Sequence, residues 1–137
     1  MNIKRIDHLV LTVRDIAATC DFYARVLGMQ VVTFDDGLQA LHFGKQKINL
    51  HEAGKELEPK ASTPIPGSAD LCLLTELPLT QVIEHMQACG VTIEVGPIRQ
   101  AGARRSLVSI YIRDPDGNLV EIANELDDTG KLRQPQP

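Results

Sequence analysis

Three side chains of types that bind metal ions interrupt otherwise apolar runs of the sequence. They are His8 in Asp-His-Leu-Val-Leu, Asp70 in Ala-Asp-Leu-Cys-Leu and Glu121 in Leu-Val-Glu-Ile-Ala. One imidazole and two carboxylates leave open positions on an octahedral ion, which suits Lewis-acid chemistry on a bound oxygen. The set predicts one divalent metal ion (nickel, cobalt, manganese, magnesium or zinc) and disfavours a structural zinc site.

Each of the three residues also has a structural explanation. A histidine in a strand is often a hydrogen-bonded core or edge residue, and Asp70 follows Gly67-Ser68, where an aspartate commonly closes a turn. Glu121 follows the tight-turn sequence Asp-Pro-Asp-Gly, and its carboxylate points away from the face of Val120 and Ile122. That carboxylate meets either water or a cation.

The hydrophobic pattern that positions these residues predicts a β-α-β-β-β order in the first half of the chain. A strand over 3–13 precedes a helix that Asp15 caps and Gly28 ends. Turn sequences then separate three predicted strands, which span 29–34, 38–43 and 47–51.

The same order returns in the second half. A strand over 68–75 precedes a helical stripe that ends at Gly90. The stripe consists of Leu79, Val82, Ile83 and Met86, and the strands that follow are predicted over 91–95, 106–113 and 119–124. The fold class is therefore α+β, with two βαβββ modules that form a curved mixed sheet.

The modules also agree in register, as an internal repeat requires. A shift of 62 positions places His8 on Asp70 and Gly28 on Gly90, and a slightly longer shift places Asn49 on Glu121. We therefore predict one domain over 1–126, made of module one (1–53), a proline-containing linker (54–67) and module two (68–126). The segment 127–137 lacks periodicity and is predicted to be a loose C-terminal tail.

Residues beside this set have chemistry that suits a substrate. Asn49 is a poor metal ligand but its amide could orient a substrate oxygen. His51 lies two residues further along the same strand face, as a fourth ligand, a proton carrier or a surface residue near a strand end. His42 and His85 are predicted to be structural.

The segment 96–105 is predicted to be a flexible loop that carries three arginines. Guanidinium groups match carboxylates, so Arg104 and Arg105 are candidates for holding an anionic substrate at a cavity rim, unless they are simply solvated. Tyr111 either lines the cavity or only packs.

Composition excludes several classes of function. The 137-residue chain has a net charge of −4, which argues against nucleic-acid and acidic-membrane partners, and it has no apolar run that approaches a membrane helix. Phosphate-binding glycine loops, dinucleotide fingerprints and nucleophilic triads are not apparent. Cys20, Cys72 and Cys89 show no paired spacing and are predicted to be reduced core thiols in a cytoplasmic protein.

Three sequence motifs resemble those of the vicinal oxygen chelate superfamily, which contains glyoxalase I, bleomycin-resistance proteins, fosfomycin thiol transferases and extradiol dioxygenases. The motifs are Ile-Asp-His-Leu-Val-Leu-Thr-Val-Arg-Asp (6–15), Phe-Tyr-Ala-Arg-Val-Leu-Gly-Met (22–29) and Asp-Pro-Asp-Gly-Asn-Leu-Val-Glu-Ile (114–122). The resemblance implies paired modules in a homodimer, with His8, Asp70 and Glu121 at metal-ligand positions and Glu121 as the base. Asp70 stands where a histidine is common, which counts against the two-histidine iron site of the dioxygenases, and Asn49 stands where glyoxalase I often has an acidic ligand.

The resemblance implies a metal-dependent lyase or isomerase similar to lactoylglutathione lyase. Its substrate would be a small α-hydroxycarbonyl or thiol adduct that reacts through an enediolate, with Glu121 or His51 moving the proton. The alternatives are a non-catalytic drug-binding protein of the bleomycin-resistance type and a thiol transferase acting on an electrophilic antibiotic. The expected partners are a small-molecule substrate and a second copy of the chain.

Overall fold

The structure is a computed structural model, and it describes residues 1–135. The chain folds into two compact units, one of residues 1–69 with 115–118 and one of residues 70–114 with the described residues from 119 onward. Each unit contains one copy of the predicted β-α-β-β-β order, so the α+β fold class is confirmed. The end of the predicted tail, 136–137, lies outside the described residues. No helix within residues 1–135 is long and apolar enough to cross a membrane.

Unit 1 is a four-stranded mixed sheet with one helix packed on it. Its strand order is β1-β4-β3-β2, and only the β1–β4 pair is parallel. Helix α1 begins where predicted, because the Asp15 side chain accepts a hydrogen bond from the Ala18 amide at 3.0 Å. The elements are β1 (His8–Val13), α1 (Ile16–Arg25), β2 (Gln30–Phe34), β3 (Leu38–Phe43) and β4 (Gln46–Glu52).

Strand β1 is shorter than the predicted 3–13. It begins at His8, which pairs with Lys47 near the start of β4. Residues 3–7 have no strand beside them, because the chain turns at Gly44-Lys45 before β4 starts. The side chain of Gln46 instead donates a hydrogen bond to the Ile6 carbonyl at 2.8 Å. His8 is thus the first residue of its strand.

Unit 2 repeats the arrangement with the strand order β5-β8-β7-β6. The buried amide of Asn124 holds the start of α2, since its Oδ1 accepts from the Leu79 amide at 2.8 Å and its Nδ2 donates to the Thr75 and Leu77 carbonyls. The elements are β5 (Asp70–Leu74), α2 (Leu79–Ala88), β6 (Val95–Ala101), β7 (Ser106–Arg113) and β8 (Leu119–Glu125).

Two predictions for the region before β7 are wrong. The strand expected over 91–95 instead runs from Val95 to Ala101, so most of the segment 96–105 is strand rather than loop. β6 is an edge strand with an irregular register between Val95 and Ile98. An edge strand tolerates Pro97, because the proline nitrogen need not donate a hydrogen bond to a neighbouring strand there. The Gly96-Pro97 sequence therefore wrongly indicated a loop.

The two sides of each sheet differ in burial and polarity. In unit 1, Leu11 and Val13 alternate with His8, Val10 and Thr12, and in unit 2 the fully buried Ile110 and Ile112 alternate with the polar Ser109 and Tyr111. We call the second side of each sheet its open face. In unit 1 it carries His8, Val10, Thr12, Asn49 and His51, and in unit 2 it carries Asp70, Cys72, Leu74, Ser109, Tyr111 and Glu121.

Within residues 1–135 all three cysteines are free, as predicted, but they are not all core thiols. Cys20 is buried, Cys89 is half-buried and Cys72 is exposed. Cys72 departs from the prediction because it lies on the open face. Side chains alternate along β5, and the register pairs Cys72 with Glu121 on that face.

Candidate functional site

Glu121 lies at the centre of the open face of unit 2. The strand register places Cys72 of β5 on one side of it and Tyr111 of β7 on the other. The fully buried Ser109 donates a hydrogen bond from Oγ to Glu121 Oε2 at 2.6 Å. This short, charge-assisted bond fixes the orientation of the carboxylate.

The two residues that flank Glu121 are held in their neutral forms. Partial burial of the thiol, together with the nearby Glu121 carboxylate, raises the pKa of Cys72 to about 11. Burial and hydrogen bonding to Glu121 likewise raise the pKa of Tyr111. Both groups therefore surround the carboxylate as uncharged neighbours at physiological pH.

A cavity of about 300 Å³ opens beside Glu121. The residues after β6 make a tight turn over it, in which the Gly102 amide donates to the Arg105 carbonyl at 2.9 Å. The structure thus brings Arg104 and Arg105 to the same cavity as Glu121, while neither Tyr111 nor Arg99 lines it. We call this space the Glu121 cavity, and its lining consists of Cys72, Leu74, 101–105, Leu107, Glu121 and Glu125.

Arg104 and Arg105 form no salt bridge within the described part of the chain, 1–135. Arg99, the third arginine of the segment, instead donates from Nη2 to the Gly130 carbonyl at 3.3 Å. Within the same residues Arg104 and Arg105 have no such contact, although Arg105 lies near enough to Asp127 to help lower the pKa of that carboxyl group.

The open face of unit 1 carries the remaining predicted residues. His8 Nδ1 lies 2.8 Å from Asp7 Oδ2, and this contact lowers the pKa of Asp7. A carboxylate on one ring nitrogen keeps the proton there and leaves Nε2 as a free electron-pair donor, which is the usual arrangement of a metal-binding histidine.

Asn49 shares this face, and its Oδ1 is a buried acceptor without a hydrogen-bond partner among residues 1–135. A buried unsatisfied amide oxygen is costly unless a ligand meets it. The structure thus supports a binding use for Asn49, which the register places opposite Val10.

His51 faces a different cavity of unit 1, with a volume of about 380 Å³. Thr12 lies opposite it in the register, and the segment that follows β4 closes the cavity with Pro59, Lys60 and Pro64. His51 is therefore accessible to a small molecule.

The donors present suit a hard or borderline divalent cation. His8 has an imidazole ring. Asp70 and Glu121 have carboxylate oxygens and lie on one face of the neighbouring strands β5 and β8, offset by two residues in the register. Within residues 1–135 no three His, Cys, Asp or Glu side chains are grouped closely enough to hold a metal ion. The assignment of these three as ligands thus stays a prediction.

Comparison with known proteins identifies the family. The profile of the Glyoxalase/Bleomycin resistance protein/Dioxygenase superfamily matches residues 5–122. This chain belongs to that superfamily. The resemblance inferred from the three motifs is confirmed.

Three known proteins are similar to most of this chain. Virulence protein STM3117 of Salmonella typhimurium is 55% identical over 90% of this chain and 85% of its own, and its crystal structure superposes with a TM-score of 0.89 over 90% of this chain and 98% of that one. Glyoxalase domain-containing protein RDO1 of Mycosarcoma maydis is 47% identical over 93% of this chain and 72% of its own. An integron cassette protein of V. cholerae is 52% identical and has a TM-score of 0.88, with 90% of this chain and 96% of that one covered.

Two residues of the site in this glyoxalase-superfamily chain were not predicted as site residues from the sequence. Ser109 and Cys72 both contact or flank Glu121, yet each stands in an apolar strand and resembles an ordinary core residue. The repeat offers a partial signal, because Cys72 falls two residues after Asp70 and so on the same face. Alternation along the strand places Ser109 on the same face as Tyr111, but its contact with Glu121 follows only from the pairing of β7 with β8.

Proposed function

We propose that this glyoxalase-superfamily protein is a metal-dependent lyase or isomerase of the glyoxalase type. Its substrate would be a small α-hydroxycarbonyl or thiol adduct that reacts through an enediolate. The observation that carries the proposal is the Glu121 carboxylate, which Ser109 orients and which lines a cavity together with Arg104 and Arg105.

His8, Asp70 and Glu121 are the proposed ligands of one divalent metal ion. Support comes from the free Nε2 of His8, which the contact with Asp7 leaves available, and from the two carboxylates on the open face of unit 2. When bound, such an ion would supply Lewis-acid polarisation of two neighbouring substrate oxygens and so acidify the C–H bond between them.

The chain's own residues would perform the remaining steps. Glu121 would take the proton from one carbon and return it to the neighbouring carbon, as one base suffices for a 1,2-proton shift. Ser109 would hold the carboxylate in place, and the uncharged Cys72 and Tyr111 would add no competing negative charge. Arg104 and Arg105 would bind an anionic group, Asn49 would orient a substrate oxygen, and His51 would be the second candidate proton carrier.

The first test is the metal content of dialysed protein, measured by elemental mass spectrometry. We expect near-stoichiometric metal in the wild type and its loss in His8→Ala and Glu121→Ala, while His85→Ala, altered on helix α2, keeps its metal. No bound metal, together with no thermal shift on adding manganese, nickel or zinc, would contradict the proposal and favour a ligand-binding protein.

A second test addresses the base. Hemithioacetals formed with glutathione and thiol-free epimerisable acids should be assayed separately, because thiol dependence separates lyase and thiol-transfer chemistry from epimerisation. On whichever substrate is turned over, Glu121→Gln should lower kcat by at least about a hundredfold, the lower end of typical acid–base contributions. Full activity in Glu121→Gln would show that another residue is the base.

We also propose that the protein forms a homodimer, as the resemblance implies, and that it is cytoplasmic. Light scattering of the purified chain measures the dimer directly, and a monomer mass at micromolar concentration would contradict it.

A further inference from the structure

A second and larger cavity adjoins the Glu121 cavity on unit 2. It has a volume of about 590 Å³, and it shares Leu74 and Glu125 with the Glu121 cavity. We call it the tail cavity, because its lining consists of Leu74, Thr75, Glu76, Leu77, Glu125 and 132–135. Both volumes fall within the range of small-molecule sites.

The C-terminal segment that walls the tail cavity is anchored to the strands of unit 2. Leu132 forms a β-bridge with Leu126, and the Arg133 amide donates to the Glu125 carbonyl at 2.9 Å. The Arg133 guanidinium lies 3.6 Å from the Glu125 carboxylate.

A turn before this wall is also held in place. The Asp127 carboxylate accepts hydrogen bonds from the Thr129 and Lys131 amides, and Arg99 binds the Gly130 carbonyl. The wall is therefore built by specific contacts on both sides of Leu132.

Exposed apolar side chains line the tail cavity, and one of them, Leu74, also lines the Glu121 cavity. Leu74 and Leu77 are 57% and 44% exposed, although both are large aliphatic residues, and Leu132 lines the tail cavity with them. Water against these side chains is unfavourable, so a ligand that displaces it gains binding free energy from its apolar portion.

The charges identify the other end of the ligand. Arg104 and Arg105 border the Glu121 cavity without a salt bridge in residues 1–135, and a guanidinium group matches a carboxylate or a phosphate. The same cavity already contains Glu121 and Glu125, which repel a dianion more strongly than a monoanion. A monocarboxylate fits this balance better than a phosphate ester.

We infer that the two cavities together bind an amphipathic monocarboxylate. Its carboxylate meets Arg104 and Arg105, and its aliphatic chain passes Leu74 into the tail cavity against Leu77 and Leu132. This inference deepens the proposed function, because the bound acid is a substrate only if the protein is the proposed lyase or isomerase. The substrate would then be a hydroxy or oxo acid with an extended aliphatic chain. The C-terminal segment would then determine specificity for chain length.

The test is calorimetric titration of the whole chain with butanoate, hexanoate, octanoate and decanoate, each below its micellar concentration. The Kd of the wild type should fall about fourfold for each added methylene group. Arg104→Gln combined with Arg105→Gln should weaken all four acids. Leu132→Asp and Leu77→Asp should each weaken octanoate at least tenfold while butanoate binding stays within twofold.

The matched control is Leu57→Asp, which places the same charge at an exposed leucine of unit 1 that lines neither cavity. Octanoate binding in Leu57→Asp should equal that of the wild type, with thermal melting as the check that every variant folds. A Kd that is independent of chain length, or one that Leu132→Asp and Leu77→Asp change no more than Leu57→Asp does, would overturn the inference.

The titrations require no metal and no turnover, so they separate the two proposals. Chain-length-dependent binding in a protein without metal would retain this site and reject the lyase. Metal binding together with acid binding that is independent of chain length would retain the lyase proposal and reject this site.

Discussion

Ser109 is the side chain that fixes Glu121, and its loss should be measurable without any substrate. Ser109→Ala removes a 2.6 Å hydrogen bond from a carboxylate and leaves that acceptor short of a donor. Because hydrogen bonds to charged groups contribute more than neutral ones, the free energy of unfolding should fall by about 1.5–3 kcal/mol in urea titration. Ser106→Ala, at an exposed position of the same strand, is the control and should change it by less than about 0.5 kcal/mol. Equal effects of the two variants would contradict the role of Ser109.

The reactivity of Cys72 reports the charge of Glu121. With a pKa of about 11, Cys72 is almost entirely thiol at pH 8, so its alkylation rate should rise nearly tenfold per pH unit from pH 8 to 10. An ordinary cysteine would approach its plateau in that range. Glu121→Gln removes a negative charge that disfavours the thiolate, so it should lower the pKa and speed alkylation at pH 8.

Iodoacetamide kinetics on chelator-treated protein, with Cys20→Ala and Cys89→Ala in the background, measure this one thiol. A rate that levels off by pH 9, or one that Glu121→Gln leaves unchanged, would show that the carboxylate does not govern Cys72.

Among the elements, the edge strand β6 contains a glycine that a larger residue should not replace without loss of stability. Gly96 has φ of +112°, and a Cβ there would lie 2.4 Å from the carbonyl oxygen of Ser109. Gly96→Ala would therefore combine an unfavourable backbone conformation with a clash against the strand that carries the partner of Glu121. We expect a loss of about 2–4 kcal/mol in the free energy of unfolding.

Gly37→Ala separates the two causes. Gly37 has φ of +97° but nothing within 4 Å of its Cβ position, so alanine there should cost only the backbone strain, about 1–2 kcal/mol. Thermal or urea unfolding of both variants gives the comparison. Equal losses would mean that the contact with Ser109 contributes nothing.

The elements that sequence predicted well are those whose signals are local. The Asp15 cap and the apolar stripes located both helices, because spacing and capping act within a few residues. The start of β1 and the position of β6 were missed because both depend on a partner strand, β4 in one case and β7 in the other. Proline and glycine locally favour a loop, but an edge strand can contain both, and the sequence alone does not show which strand lies at the edge of a sheet.

The same limit explains how much of the site was predictable. Glu121, Arg104 and Arg105 were selected by residue type, and the structure places them at one cavity. Ser109 and Cys72 became visible only with the strand register, since cross-strand neighbours are distant in sequence. The adjoining tail cavity was also beyond prediction, because the segment from Asp127 to Arg133 has no periodicity and is held by isolated bridges and side-chain hydrogen bonds.

At the scale of the whole molecule, the proposed metal ligands come from both units: His8 belongs to one, and Asp70 and Glu121 belong to the other. An ion that binds only the folded protein raises its stability by about 2.7 kcal/mol at a hundredfold excess over Kd, equivalent to roughly 8–10 °C in Tm for a chain of this size. We expect a Tm increase of this order when nickel or manganese is added to chelator-treated wild type, and its reversal by chelator. Because both residues are proposed ligands, His8→Ala and Glu121→Ala should each abolish the increase, whereas His85→Ala should retain it. An increase that survives His8→Ala but not Glu121→Ala would restrict the metal to unit 2 and remove His8 from the site.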